Sequence, residues 1–194
     1  MGVHMIRVLQ GLNVLALAHL GIPQVVSKYL ADPLERGVAM PVSEQTVARR
    51  IVEGHAIIAL SDNEFAGCVF AVPLATVFGV RYFELSTLFV PRKFRLHRIA
   101  EDHLYPAVIR MVLAESGVLL GTTKFEFIVK FGLHRGMTPI ESQSLPSEVR
   151  AALCTDVSCY KLGPEGSCLS ERVWRSEDDG WIDGTHCCVR RLRE

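Results

Sequence analysis

The stretch FELSTLFVPRKFRLHRIA, residues 83–100, decides how this chain is interpreted. Its first half is rich in strand-forming residues and predicts a strand that ends at Val90. A basic loop follows, and a helix is predicted to begin near Ile99. A helix N-terminus presents unpaired backbone N–H groups and a partial positive charge. Together with Arg95 and Arg98, this arrangement predicts a local anion site, of the kind that seats a pyrophosphate.

Hydrophobic periodicity and turn signals predict the elements around this stretch. Strands are predicted at residues 5–9, 55–60, 65–72, 82–90, 124–129, 137–140 and 185–192. Helices are predicted at residues 14–30 with a break at 21–23, from an N-cap at 43 through 52, and at 99–115, 131–135 and 145–150. Residues 32–40 are predicted as a loop, and Pro106 should kink its helix or mark a late start. This order predicts the α+β class, with a mixed sheet and helices on its faces.

The composition of the sequence changes at Ser144, after which the chain becomes more polar and rich in cysteine. We therefore expect a main domain over residues 1–143. Residues 144–194 are expected to form a Cys-containing extension packed on the same domain, with a hairpin through Trp174 and Trp181.

Composition excludes several classes of partner. The 194 residues are 49% hydrophobic, which allows a sizeable core, and 21 basic residues balance 21 acidic ones. Proteins that grip nucleic acid usually carry a basic excess, so no nucleic-acid partner is expected. No apolar run approaches the roughly 18–20 residues that span a bilayer, and the N-terminal apolar stretch lacks a small-residue cleavage site. We expect no membrane partner and a cytoplasmic location, where thiols stay reduced.

Residues 83–95 resemble the coenzyme-A-binding motif of the GNAT (GCN5-related) N-acetyltransferases, a strand E-x-x-x-L-x-V followed by R/Q-x-x-G-x-G/A. Arg95 and Ala100 match this pattern. Arg98 stands where the family has glycine, and Leu96 where a second glycine is common; glycine there lets the backbone approach the pyrophosphate. The resemblance implies acetyl-CoA as the acyl donor. It also implies a set of coenzyme-binding residues: Leu88, Val90, Arg95, Leu96, His97, Arg98, Ile99 and Ala100.

The resemblance extends over about residues 40–170, and within the superfamily it is nearest to short N-acetylglutamate-synthase-like members. The segments that carry it are MPVSEQTV at 40–47, HAIIAL at 55–60, AGCVF at 66–70, GMTPI at 136–140, LPSEVR at 145–150 and the cysteines at 154, 159 and 168. It implies a GNAT-type, mostly antiparallel central sheet flanked by helices.

Glu84 is the residue that the resemblance implies as general base. A carboxylate on this strand would take a proton from the incoming amine, usually through water. The strand would splay near residues 86–88, so that the backbone N–H of Leu88 or Val90 could hold the oxygen that becomes negative. The alternative is a strand-edge glutamate paired with Arg81 or a neighbouring lysine.

The acid for the departing thiolate has no clear candidate. Many family members place a tyrosine on the helix after the strand predicted at 124–129, and the matching position here is about Gly132. His134 could substitute, or it could simply face solvent. His97 is a candidate for phosphate contact.

The cysteines allow several interpretations. Cys68 falls inside a predicted strand and is expected to be a buried apolar residue. A zinc site could use Cys154, Cys159, Cys168 and Cys187, with His186 and Cys188 nearby. The spacing matches no standard zinc motif, so free buried thiols and a disulfide or redox role also stay open.

The sequence therefore predicts an acyl-CoA-dependent N-acyltransferase, which transfers acetyl from acetyl-CoA directly to the amine of a small molecule such as an amino acid. One alternative is a GNAT-fold protein that binds a ligand or partner without catalysis. The other is an acyl-homoserine-lactone synthase, which shares the fold and an E-L-S strand but has an N-terminal signature not found here. The acyl acceptor stays open, because acceptor loops vary most and fall at residues 10–40 and 72–81. A homodimer also stays open.

Overall fold

The computed structural model describes residues 5–10, 21–36, 39, 41–123, 126–140, 144–154 and 186–190. The strands in this part of the chain are β1 Ile6–Gln10, β2 Ala56–Ser61, β3 Glu64–Val77, β4 Val80–Phe89, β5 Gly117–Thr123, β6 Thr138–Ile140 and β7 His186–Arg190. The α-helices are α1 Ile22–Ala31, α2 Pro33–Arg36, α3 Glu44–Val52, α4 Tyr105–Ala114, α5 Glu126–His134 and α6 Ser147–Cys154. A 3-10 helix (Arg92–His97) and a π-helical turn (Ala100–Leu104) precede α4.

The strands are hydrogen-bonded in the order β1-β2-β3-β4-β5-β7-β6. β4 and β5 pair in parallel, whereas β1 with β2, β2 with β3, β5 with β7 and β6 with β7 pair antiparallel. The predicted α+β class, with a mostly antiparallel sheet and flanking helices, is confirmed. Among the described helices, none has both the length and the apolar character that crossing a bilayer requires.

The chain divides into two compact units, and the first comprises residues 1–72 and 86–111. Its core forms because α1 and α3 each place apolar residues at helical spacing toward β2 and β3. In α1 these residues are Ile22, Val26 and Leu30. β2 is buried along its whole length, as expected for a strand covered on both faces. The first unit therefore holds a continuous core beneath the segment that follows β4.

The second unit comprises residues 73–85 and 112–194. Its apolar cluster contains Val118, Leu120, Leu145 and Val149, with residues of β3 and β4 packed against it. Gly117 opens β5 where any side chain would be crowded, since an added Cβ would lie 2.8 Å from a ring carbon of Phe83. The described residues just before and just after residue 144 belong to this same unit. The expected boundary between a main domain and an extension at residue 144 stays a prediction.

Most of the predicted elements are confirmed. Ser43 caps α3 with its hydroxyl oxygen, which accepts from the Thr46 N–H at 3.2 Å. Asp62 and Asn63 both have positive φ, so they form the tight turn between β2 and β3. The helix predicted from Ile99 is present, and its π-helical turn leads into α4 just before Pro106. The Tyr105 N–H bonds to the Ala100 oxygen, and Pro106 has no N–H to give.

The strand predicted at 124–129 is wrong. The strand is β5, Gly117–Thr123, and α5 begins at Glu126. β5 forms because its apolar residues Val118, Leu119 and Leu120 pair in parallel with β4. The strand-forming residues at 127–129 belong to helix α5 instead.

Two loops were also predicted wrongly. Within residues 32–40, Pro33–Arg36 forms α2, because proline suits the first turn of a helix and the Asp32 carboxylate accepts from the Leu34 N–H at 2.8 Å. Residues 72–81 are not a loop, since β3 continues to Val77 and turns into β4 through Phe78 and Gly79. The predicted helical residues 14–20, the hairpin through Trp174 and Trp181, and the zinc candidates Cys159 and Cys168 lie outside the described residues.

Candidate functional site

The basic loop after β4 forms a 3-10 helix whose one buried side chain is that of Phe94. The Phe94 N–H donates to the Pro91 oxygen at 2.9 Å, and Phe94 itself is buried. Leu96 is 95% exposed. The basic residues of this loop are also exposed: Arg92, Lys93, Arg95, His97 and Arg98. The loop thus presents a row of basic side chains to solvent, and its backbone is anchored by the buried Phe94.

Arg98, which stands at the family's glycine position, has a left-handed backbone with φ 52° and ψ 30°. This conformation costs an L-residue roughly 1–2 kcal/mol and costs glycine little. Its guanidinium lies 3.3 Å from a carboxylate oxygen of Asp102, one helical turn on, and its side chain is 66% exposed. The backbone therefore keeps the shape that glycine favours, while the side chain adds a charge at the surface.

We expect Arg98→Gly to raise the free energy of unfolding by up to about 1 kcal/mol, because it removes the left-handed strain. The midpoint of thermal unfolding should rise by about 2–4 °C. Arg98→Ala is the control, since alanine loses the same surface ion pair and keeps the strain. Equal stability of the glycine and alanine variants would contradict this account.

Arg95, predicted to contact phosphate, binds main-chain oxygens. Its Nε donates to the Val90 oxygen at 3.2 Å, and its Nη2 donates to the Glu35 oxygen at 2.5 Å. The Glu35 carboxylate in turn accepts from the Arg92 N–H at 3.0 Å. Sequence reasoning missed Glu35; the Asp32-Pro33 start signal could have identified its helix but not this contact.

Lys93 and His97 are held by neighbours in the same unit. The Lys93 ammonium is paired with the Glu64 carboxylate and lies 5.0 Å from the centre of the Phe94 ring. The hydrogen bond to Glu64 raises the pKa of Lys93. The His97 ring meets the Phe94 ring edge-on at 6.1 Å. These contacts fix the two residues around the buried Phe94.

The helix after the loop begins at the predicted residues. Ile99 is buried, and the Asp102 N–H bonds to the Arg98 oxygen at 2.9 Å. No side chain caps the π-helical turn that starts at Ala100. Backbone N–H groups at such a start are available to an anion.

Glu84 lies on β4 in the second unit, half-buried. Its Cα pairs with that of Leu120 across the parallel strands. Because side chains alternate along a strand, Glu84 shares a face with Tyr82, which packs on the apolar cluster around Leu120. Arg81, the partner in the alternative interpretation, forms an ion pair with Glu115. Glu84 is therefore a carboxylate on a largely apolar face.

The strand β4 is irregular at Thr87, within the stretch predicted to splay. Thr87 has φ 51°, a left-handed value that interrupts the alternation of side chains. Leu88, on β4, and Val90, just after its end, are half-buried. On the adjacent strand, the thiol of Cys68 faces the Thr87 oxygen at 4.0 Å. The irregularity gives β4 a place where backbone groups can leave the ladder.

Cys68 is fully buried in β3, and burial raises the pKa of its thiol. A neutral, inaccessible thiol reacts poorly with alkylating reagents. We expect iodoacetamide to leave Cys68 unmodified in the folded protein and to modify it in denaturant, as read by peptide mass spectrometry. Alkylation of the folded protein at the denatured rate would contradict the buried placement.

The position matching the family's tyrosine is Gly132 in α5, whose sequence EFIVKFGLH contains no tyrosine. An added Cβ at Gly132 would lie 3.2 Å from the Met137 sulfur, so this position is closely packed. His134 lies on the last turn of the same helix and is exposed. The matching position is thus a buried glycine, and the exposed His134 lies two residues further along the helix.

The cysteine candidates for zinc are only partly placed. Cys154 ends α6, and Cys187 lies on β7, where its Cα pairs with those of Thr122 and Ile140. Among the described residues, no three His, Cys, Asp or Glu side chains cluster as metal ligands would. The zinc hypothesis also depends on Cys159 and Cys168, which lie outside that part of the chain, and it stays a prediction.

Neither a family model nor a curated protein matches this sequence. Solved structures do match. N-acetylglutamate synthase from Neisseria gonorrhoeae, complexed with coenzyme A and N-acetyl-glutamate, superposes with a TM-score of 0.65 at 15% identity. The match covers 100% of this chain and 36% of the synthase chain, so this chain spans about a third of that protein's length.

Two further structures are similar over most of this chain. Rv2747 from Mycobacterium tuberculosis, in complex with CoA and NLQ, has a TM-score of 0.60 at 16% identity, covering 89% of this chain and 95% of that one. A GCN5-related N-acetyltransferase from Kribbella flavida has a TM-score of 0.50 at 11% identity, covering 71% and 34%. At these identities the likeness establishes the architecture alone: the chain has a GNAT-like fold.

Proposed function

We propose that this chain is an acyl-CoA-dependent N-acyltransferase, which moves an acetyl group from acetyl-CoA to the amine of a small molecule, such as an amino acid. The observation that carries the proposal is the left-handed backbone of Arg98 at the start of an uncapped helix. An energetically costly backbone shape at the position of a phosphate-binding glycine supports a binding role for this loop. The GNAT fold of the chain supports the same activity.

In this proposal the coenzyme's pyrophosphate binds to the loop and the first turn of the helix. The backbone from Leu96 to Ala100 approaches the phosphates, and the guanidiniums of Arg95 and Arg98 supply positive charge. The resulting contacts are electrostatic, so affinity should fall as the salt concentration rises.

The chemical step is direct transfer between two bound substrates. Glu84 takes the proton of the amine, and the amine nitrogen attacks the thioester carbonyl carbon. The backbone N–H of Leu88 or Val90, next to the irregular Thr87, donates to the carbonyl oxygen as it becomes negative. The C–S bond then breaks and the nitrogen releases its second proton to water, giving the amide and a thiolate that takes up one proton. His134 is a candidate for supplying that proton.

Calorimetric titration of acetyl-CoA into the purified protein tests the proposal first. We expect micromolar affinity in the wild type and no measurable binding in Arg95→Ala, because that change frees the loop from the Val90 oxygen and removes a cation. Wild-type protein that shows neither heat nor thermal stabilisation with acetyl-CoA would refute the proposal. With binding established, an amine panel read by free thiol release identifies the acceptor class.

A second candidate function is ligand or partner binding without catalysis. Two observations favour it: an arginine at the glycine position and a closely packed glycine where the family has a tyrosine. Fold similarity alone does not establish activity. Acetyl-CoA binding without thiol release over a broad amine panel would select this candidate.

The proposal includes a cytoplasmic location. Size-exclusion chromatography with light scattering tests whether the chain forms a homodimer.

A further inference from the structure

Glu35 contacts the basic loop at two points. Its carboxylate accepts a hydrogen bond from the Arg92 N–H at 3.0 Å, at the first residue of the 3-10 helix. Its main-chain oxygen accepts from the Arg95 guanidinium at 2.5 Å. The same guanidinium bonds to the Val90 oxygen, where β4 leads into the loop. Glu35 is therefore hydrogen-bonded both to Arg92, at the start of the loop's first turn, and to Arg95, three residues on.

Glu35 lies on α2, a short surface helix next to the packed helix α1. Helix α2 follows α1 after one extended residue, Asp32, whose N–H bonds to the Lys28 oxygen at 3.3 Å at the end of α1 and whose oxygen accepts from the Arg36 N–H at 2.9 Å within α2. In α1, Val26 and Leu30 have no exposed surface. Glu35 thus connects the exposed loop to a short surface helix that directly follows a helix packed in the core of its unit.

From these contacts we infer that Glu35 is a positioning residue, which sets the loop's backbone for the coenzyme without touching the reacting atoms. The inference rests on the proposed acetyl-CoA function. The carboxylate satisfies an N–H that would otherwise be unpaired at the start of the 3-10 helix. A bond between an N–H and a charged acceptor is among the stronger hydrogen bonds in proteins. Removing the carboxylate frees the loop's first turn and leaves the chemistry unchanged.

The test compares Glu35→Ala with Glu35→Gln in the full chain. We expect Glu35→Ala to raise the KM for acetyl-CoA by about five- to tenfold, the loss of one charge-assisted hydrogen bond at a partly exposed site. The kcat and the KM for the amine should stay unchanged. Glu35→Gln keeps an oxygen that can accept from the Arg92 N–H, so it should restore most of the affinity.

Glu64→Ala is the matched control, because Glu64 also places a carboxylate on this loop but pairs with the Lys93 side chain. Such exposed ion pairs contribute little, so we expect the KM for acetyl-CoA to change by less than about twofold. The contrast between the two alanine variants separates backbone positioning from the loss of a surface charge.

Amide hydrogen exchange in the loop, without coenzyme, gives a reading that does not depend on the proposed function. Exchange across residues 92–97 should speed up in Glu35→Ala and not in Glu64→Ala. Unchanged exchange, or wild-type or tighter coenzyme affinity in Glu35→Ala, would overturn the positioning role. Wild-type protein without coenzyme binding would refute the proposed function instead, and the exchange data would still decide whether Glu35 holds the loop.

Discussion

Replacing Glu84 by glutamine should lower kcat for amine acetylation by about 100-fold or more, the usual loss when a general base is removed. Glutamine preserves the size of the side chain and its place on the apolar face of β4, but it cannot take up a proton. The affinity for acetyl-CoA and the midpoint of thermal unfolding should stay close to the wild-type values. Thiol release at saturating substrates measures kcat. Calorimetry measures the affinity for acetyl-CoA and the midpoint of thermal unfolding.

The difference in kcat between the wild type and Glu84→Gln should become smaller as the pH is raised. A free α-amino group has a pKa of about 7.7–8.0, so above that range the acceptor is already deprotonated in solution. A deprotonated amine needs no base to become a nucleophile, whereas at lower pH the base must first remove a proton. Comparing the two enzymes at about pH 7 and pH 9.5 therefore separates lost proton transfer from a general loss of structure.

Glu115→Gln provides the matched control for this experiment. Glu115 belongs to the same unit, is also partly exposed and forms an ion pair with Arg81. An exposed ion pair contributes little to stability. Breaking it should therefore leave kcat within about twofold of the wild type. A Glu84→Gln enzyme with unchanged kcat would remove Glu84 from the mechanism and leave it as a structural carboxylate on the strand.

Elements specified by local signals were predictable from sequence alone. The turn at Asp62 and Asn63 is an example, because both residue types tolerate the positive φ that a tight hairpin turn requires. The cap at Ser43 is another, since its hydroxyl bonds within its own helix. In both cases the residues that determine the structure are neighbours in the chain.

The misplaced strand near residue 124 shows where local signals fail. Residues 124–129 contain good strand formers, and so does the run from Val118 to Leu120. Parallel pairing with β4 selects the earlier run, and that pairing joins residues more than thirty positions apart. Strand propensity is largely a consequence of such pairing and burial, so it could not decide between the two segments.

The candidate site divides in the same way. Its loop residues were predictable as a group because they are consecutive in the chain. Glu35 was not predictable, since it is 57 positions from the amide that it contacts. The glycine motif also specifies a backbone shape more than a residue type. Arg98 adopts that shape with φ 52°, so a mismatch in sequence need not be a mismatch in conformation.

Substituting Gly67 should affect both stability and coenzyme binding. Gly67 lies on β3 in the first unit, and a Cβ added there would lie 2.8 Å from the Phe89 oxygen, 3.0 Å from Leu104 Cδ1 and 3.2 Å from Val90 Cγ2. Phe89 and Val90 precede the basic loop, and Leu104 closes the π-helical turn that follows it. The absence of a side chain at Gly67 therefore lets the two flanks of the loop approach β3 together.

We expect Gly67→Ala to lower the free energy of unfolding by about 2 kcal/mol, as overpacking against a backbone oxygen does. Thermal unfolding should shift down by about 4–8 °C. Displacing both flanks of the loop should also weaken acetyl-CoA binding by about tenfold, since small displacements in a binding site are costly. Thermal unfolding and calorimetric titration of the same preparation measure the two effects.

Gly117→Ala separates these two effects. An added Cβ at Gly117 would lie 2.8 Å from Phe83 and 2.9 Å from Val112, all within the second unit. A similar loss of stability is expected, with coenzyme affinity unchanged, because the basic loop belongs to the first unit. If both variants lost affinity equally, the loss would follow from lower stability alone. A loss confined to Gly67→Ala would mean that close packing of β3 against the loop's two flanks shapes the coenzyme site.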